Sequence, residues 1–162
     1  MIMEKFSIFN WKKNELVFVI GTVAGIMLIS SWQLAIGGMK TRDAQRKADT
    51  ELVARALGRY FSDYAHFPPE ENGRIVSCGR EGQEICEWGE GPMIDQDNVQ
   101  YLPKIPRDPW AEKGWTYVYK TDDSGQNFTI YSGLEYRRDK QEKTGLTEKC
   151  SERVQCKWFV KN

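Results

Sequence analysis

The side chains with the widest chemical reach are four cysteines, one histidine and a few clustered aspartates. Cys78, Cys86, Cys150 and Cys156 leave gaps of seven and five residues within the two near pairs. A four-thiolate zinc site favours tighter knuckles of about two to four intervening residues, so two disulfides are the expected chemistry. Four cysteines permit three connectivities; the local pairs Cys78–Cys86 and Cys150–Cys156 are expected because both loops are short and turn-rich. His66 stands alone beside Phe67-Pro68, where a polar residue closing a helix is ordinary, and a nucleophile–histidine pair is not assigned. Asp95, Asp97, Asp122 and Asp123 would suit calcium by ligand type, yet their spacing fits no EF-hand loop and reads as turn chemistry. Trp88, Trp110, Trp115 and Trp158 read as core aromatics. No catalytic, cofactor-binding or metal-ligating residue is assigned, and an enzyme is not expected.

The elements carrying these residues differ sharply in polarity. Leu16 to Ile36 holds 21 residues without a charge. A helix of that length spans roughly 30 Å, the thickness of a bilayer core. It is longer than a signal-peptide apolar region and lacks a small-residue cleavage pattern, so a retained transmembrane helix over 16–36 is expected. Glu15 stands directly before the apolar run. A carboxylate at an apolar edge calls for a partner; the plainer alternative is an interfacial glutamate favoured by the helix N-terminus. Gly21 and Gly25 form a GxxxG pattern that lets helices approach closely in lipid, although glycine is common in membrane helices anyway.

After Gly37-Gly38 the helical period continues. Ala44, Ala48, Leu52, Val53, Ala56, Leu57, Tyr60, Phe61 and Tyr64 recur at three- and four-residue spacings and are expected to be the apolar face. Arg42, Arg46, Lys47, Glu51, Arg55 and Arg59 fall on the other face. Phe67-Pro68-Pro69 stops the helix. The expected organisation is a short segment 1–13, a long helix 14–66 and a globular head 67–162. Within the head, 70–100 reads as a long loop with at most one short helix, and 101–110 as a proline-stiffened connector. Segments 115–120 and 127–132 are aromatic and β-branched around a turn-forming stretch, a hairpin over 115–132. Segment 155–160 reads as a third strand. The fold class is α+β: a long helix packed on a small antiparallel sheet.

This order of elements resembles the type IV pilin and type II secretion pseudopilin family. The resemblance rests on Glu15 heading an apolar helix, on Thr41-Arg42-Asp43-Ala44-Gln45-Arg46-Lys47-Ala48-Asp49 just past the membrane span, and on Tyr60-Phe61 through Phe67-Pro68. It rests also on Leu102-Pro103 through Asp108-Pro109-Trp110, followed by Trp115, Tyr117 and Tyr119. It covers about residues 14–69 and 101–134, and the second segment is the most specific. The resemblance implies a structural subunit that assembles through its helix, with Glu15 pairing with the N-terminal amine of a neighbour. Two features depart from the family. The peptidase site, normally Gly-Phe, is Asn10-Trp11 here, and Lys12-Lys13 replace apolar residues. A calcium loop is not recognisable where Glu135-Tyr136-Arg137-Arg138 stands.

The expected partners are the chain itself, related pilin-like subunits and the membrane. Nucleic acid is not among them, because 23 basic and 23 acidic residues leave no strong net field. The alternative is an unprocessed single-pass protein that keeps a pilin-like extracytoplasmic domain and forms no filament. Lys40, Arg42, Arg46 and Lys47 beyond the span weigh toward a cytoplasmic head by the positive-inside rule. The cysteines and the resemblance weigh toward the opposite topology, with a cytoplasmic N-terminus and a head at the cell surface or in the periplasm. With Asn10 in place of glycine, the chain is expected to keep its N-terminus. Mass spectrometry of the membrane-extracted protein should find residues ahead of Trp11; a mature chain beginning at Trp11 would overturn this.

Overall fold

A computed structural model describes residues 13–162. The pair Asn10-Trp11 and Lys12, on which the processing expectation rests, lies outside them. The protein is α+β. Helix α1 runs Lys13–Tyr64, and short antiparallel strands follow. The chain divides into two compact units after Gly38.

In the first unit the helix is almost wholly exposed, with Phe18, Trp32 and Leu34 each about three-quarters accessible. It is the one helix, among the described residues, long and apolar enough to cross a membrane. Two hydroxyls inside it are satisfied locally: Thr22 Oγ1 donates to the Phe18 carbonyl and Ser31 Oγ to that of Met27, each at 2.8 Å. Back-bonding of this kind lets a hydroxyl sit in hydrocarbon without an unmet donor.

In the second unit the rest of α1 packs on eight short strands. Strands β1 (Glu70–Glu71), β2 (Arg74–Cys78) and β3 (Glu84–Ile85) form one antiparallel sheet in that order. Strands β4 (Met93–Ile94) and β5 (Gln100–Leu102) form a two-stranded ribbon. Strands β6 (Val118–Thr121), β7 (Phe128–Ser132) and β8 (Trp158–Lys161) form the third sheet. Its register runs from Val118 opposite Tyr131 to Thr121 opposite Phe128, and from Thr129 opposite Lys161 to Ser132 opposite Trp158.

The expected loop over 70–100 is therefore corrected: it holds five strands or parts of strands. Asn72 and Gly73 take positive φ of 53° and 77°, the backbone of a two-residue hairpin turn. The hairpin over 115–132 is narrower than expected, because Trp115 to Tyr117 precede the ladder. The third strand begins at Trp158, a little later than expected.

Helix α1 ends where proline forbids continuation. Ala65 turns to a positive φ of 56°. Its carbonyl accepts from Gln126 Nε2 at 2.8 Å, and Phe67 N donates to the Gly125 carbonyl at 2.7 Å. The β6–β7 turn thus closes the helix end. The core joins Val53, Ala56 and Leu57 of α1 to Phe67, Ile75, Met93, Ile105, Tyr117, Tyr119, Phe128 and Ile130. Phe61, Phe67 and Phe128 form a chain of ring contacts, with centroids 4.6 and 4.7 Å apart.

The buried face of α1 also differs from expectation. Asp43, Arg46, Thr50, Val53, Ala56 and Leu57 are buried, while Ala44, Ala48 and Leu52 face outward. Polar residues lead the buried stripe because partners far along the chain neutralise them, as described below.

Cys78 is bonded to Cys86 and Cys150 to Cys156. The first bridge joins β2 to the segment after β3. The second closes a loop whose Cys150 carbonyl accepts from Thr116 N at 2.8 Å. Loops this short restrict the unfolded chain modestly, so each bridge should contribute about 2–3 kcal/mol. Non-reducing peptide mapping should recover these two linkages. Four free thiols, or bound zinc, would overturn the pairing.

Candidate functional site

Arg46 has no exposed surface, and an isolated buried guanidinium is very costly. Here four of the five N–H donors are met. Nε and Nη2 reach the two oxygens of Asp108 at 2.8 and 3.1 Å, while Nη1 reaches Asp43 at 2.9 Å and Glu135 at 2.7 Å. The guanidinium also lies 4.4 Å from the ring of Trp115. Gly133 permits that seat, since an added Cβ there would fall 2.7 Å from the Trp115 ring.

The neighbours extend the network. Arg42 pairs bidentately with Glu135 at 2.8 and 2.6 Å and lies 4.6 Å from the Trp110 ring. The Asp43 carboxylate accepts from Glu135 N at 3.0 Å and Tyr136 N at 2.8 Å, so it fixes the strand-to-loop turn after β7. Asp108 accepts from Trp110 N at 2.7 Å. Lys47 donates to Asp139 at 2.7 Å and Gln141 at 2.9 Å. Tyr117 donates its hydroxyl to Asp49 at 2.7 Å. Every helical turn from Arg42 to Asp49 is thus bonded to a segment more than sixty residues away.

The electrostatics follow from this geometry. Burial works to raise the Glu135 pKa, but hydrogen bonds from Arg42 and Arg46 outweigh it and bring the carboxyl from 4.5 down to about 2. Burial works to lower that of Arg46, but Asp108 and Glu135 push it well up, so it stays charged. The Glu135 hydrogen bond raises Arg42. Burial raises Asp49 against the opposing bond from Tyr117, and burial first, then Asp49, raises Tyr117.

The tryptophans read as core aromatics divide in two. Trp88 packs edge-on against Tyr117 at 5.3 Å. Trp110, Trp115 and Trp158 instead serve as platforms for Arg42, Arg46 and Lys47, the last at 5.0 Å. The aspartates weighed for calcium are turn acceptors. Asp95 takes Asp97 N and Val99 N at 2.8 Å each and the Tyr101 hydroxyl at 3.0 Å. Burial works to raise Asp95, and these bonds hold it below the usual range. Asp122 takes Gln126 N and the Asn127 amide, chiefly lowering it to about 2 through Asn127. Among the described residues no group of three or more His, Cys, Asp or Glu is placed to hold a metal. His66 Nδ1 lies 3.2 Å from the Phe67 carbonyl oxygen, and its ring lies 6.1 Å from those of Tyr60 and Tyr64.

Glu15 lies in the first turn of α1 and is exposed. Gly21 and Gly25 lie on the exposed apolar stretch, and a Cβ added at either meets nothing within 4 Å. The four cysteines sit apart from these residues in sequence and form the two bridges described. The Arg46 network was not anticipated. Its signal was the series Asp43, Arg46, Thr50, Val53, Leu57, a three-four-three-four spacing with charges at its head.

Comparison with family models, curated proteins and solved structures finds no match to this chain.

Removing Arg46 would strand Asp43 and Asp108 in the interior. Arg46→Ala should therefore cost about 3–5 kcal/mol, read by denaturant unfolding of the full chain in detergent; a loss below about 1 kcal/mol would show that the network relaxes freely. The Glu135 pKa is depressed in the fold, so its contribution is present above about pH 4.5 and is lost as pH falls toward about 2. Thermal melts should drop over that window in wild type, and less so in Glu135→Gln. Parallel acid profiles would contradict it.

Proposed function

We propose that the chain is a pilin-like or pseudopilin-like structural subunit that assembles through its N-terminal helix into a filament or membrane complex. The observation that carries this reading is the long apolar stretch of α1, exposed along its length with open glycine surface at Gly21 and Gly25. Such a surface needs lipid or other helices around it. The Arg42–Asp49 segment supports the reading from the other side. It is the part of the sequence most like the family, and its charges are bonded within the head, which leaves the apolar stretch for association. Two disulfides support an extracytoplasmic head, at the cell surface or in the periplasm. The partners are copies of this chain or related subunits, no reaction is catalysed, and no cofactor is required.

Asn10-Trp11 and Lys12-Lys13 favour a second reading, an unprocessed single-pass protein with a pilin-like head and no filament. The two readings separate on self-association. In lipid, little hydrophobic force acts between helices, and close packing with polar pairing must hold them. Gly21→Leu and Gly25→Leu should push neighbours apart without disturbing the chain's own packing. Glu15→Ala should weaken association by removing the partner of a neighbour's amine or lysine. Each contact is worth only about 1 kcal/mol, but a repeating assembly multiplies it. Crosslinking in native membranes should give oligomers in wild type and fewer in all three variants, with both disulfides retained. Identical ladders, or none in wild type, would leave the single-subunit reading standing.

A further inference from the structure

We infer that the cleft between the end of α1 and the β2–β3 turn binds a trimethylammonium group against the rings of Tyr60, Tyr64 and His66, with Glu81 as its carboxylate. All of these residues belong to the second unit, so the cleft forms within the head alone. Tyr60 and Tyr64 stand one helical turn apart, with ring centroids separated by 4.7 Å. Ala65 then turns to a positive φ of 56°, and the next ring, His66, lies 6.1 Å from both. A single cation can therefore lie within about 6 Å of all three centroids, the reach of a cation–π contact. The three rings line a cleft of about 380 Å³, inside the range of about 300–1,000 Å³ usual for small-molecule sites. Pro69 and Val76 add apolar wall against which methyl groups can pack.

The charge around the rings favours a cation. Glu81 is exposed, lines the cleft and makes no ion pair among the described residues. Tyr101, with its ring 5.3 Å from that of Tyr60, donates its hydroxyl to Asp63 at 2.7 Å and to the buried Asp95 at 3.0 Å. Burial, and after it Asp95, raise the pKa of Tyr60 and push that of Tyr64 up to about 12, so both stay neutral phenols beside a carboxylate. Arg59 and Arg80 adjoin Tyr60 and Glu81 in sequence. Arg59 donates to the Tyr101 carbonyl, and neither arginine lines the cleft. Asp95 already accepts from Asp97 N, Val99 N and Tyr101, which leaves few charged acceptors for the strongly hydrated head of a primary ammonium. A trimethylammonium requires none, and its charge is met by aromatic rings. The plainer alternative is that these rings only edge the core, which they also touch; a cleft of that kind shows no preference for charge.

The full chain, with ring-labelled tyrosine, would be followed by NMR at mildly alkaline pH in dodecyl maltoside, a detergent without an ammonium group. The probes are choline, a short peptide bearing trimethyllysine, and the neutral tert-butyl analogue of choline. The Tyr60 and Tyr64 rings should shift saturably with choline or the peptide, while Tyr131 and Tyr136 stay unmoved. The cation should bind about tenfold more tightly than the neutral analogue. Tyr64→Leu keeps bulk but removes a ring, and should weaken cation binding about tenfold. Glu81→Gln, on an exposed turn, should weaken it a few-fold with both disulfides and the melting temperature retained. If Tyr64→Leu unfolds the head, His66→Leu removes an exposed ring in its place. Tighter binding of choline would mark the ligand as a small molecule, and tighter binding of the peptide would mark it as a modified side chain. A saturable shift with neither cation, equal binding of the neutral analogue, or an affinity unchanged by the ring and Glu81 variants would overturn the inference.

Discussion

A guanidinium without exposed surface constrains everything around it, because each of its donors must be met inside the fold. Arg46 meets four of its five donors with Asp108 from the proline-rich connector, Glu135 from the turn after β7 and Asp43 from its own helix. These carboxylates come from separate parts of the sequence, so the ion pairs form together only when the connector, the third sheet and the helix are all in register. Such a network adds little net stability over a well-packed apolar one. Its consequence is placement: the helix beyond Met39 cannot rotate or slide against the strands without exposing or orphaning a charge. The aromatic platforms of Trp110 and Trp115, and the disulfide loop at Cys150 that bonds Thr116, support the same point from outside.

That placement separates two tasks along one helix. The head's own contacts are made by residues from Arg42 onward, through charges and then through Val53, Ala56 and Leu57. The stretch before Gly38 makes its surface available instead. The hydroxyls of Thr22 and Ser31 are internally bonded, and Gly21, Gly25 and Gly37 are open. In the proposed subunit the second property drives association, and the first lets the head survive changes in the membrane segment. Arg42, Arg46 and Lys47 are paired within the fold, so in the proposed subunit they have a role that does not depend on which side of a membrane the head occupies.

Much of this was legible in the residues. The apolar run and Phe67-Pro68-Pro69 bound the helix, and the aromatic, β-branched stretches around a turn marked β6 and β7. Other parts were harder to read for physical reasons. Strands β3 and β4 are two residues each, too short for an alternating pattern to appear. The β1–β2 hairpin had a readable signal in Asn72-Gly73, which the surrounding acidic and glycine-rich composition obscured. The inward helix face was misplaced because hydropathy alone counts Ala44, Ala48 and Leu52 as core and Asp43 and Arg46 as surface. Long-range carboxylates reverse that assignment, and they are invisible to any local period.

In the proposed subunit, α1 meets its neighbours through one face of the stretch that contains Gly21 and Gly25. Single cysteines introduced in turn across 16–36, oxidised in native membranes, would test it most directly. Disulfide-linked dimers should rise and fall with the helical repeat of about 3.6 residues, with maxima on the face of Gly21 and Gly25. Uniform or absent crosslinking across the scan would contradict it.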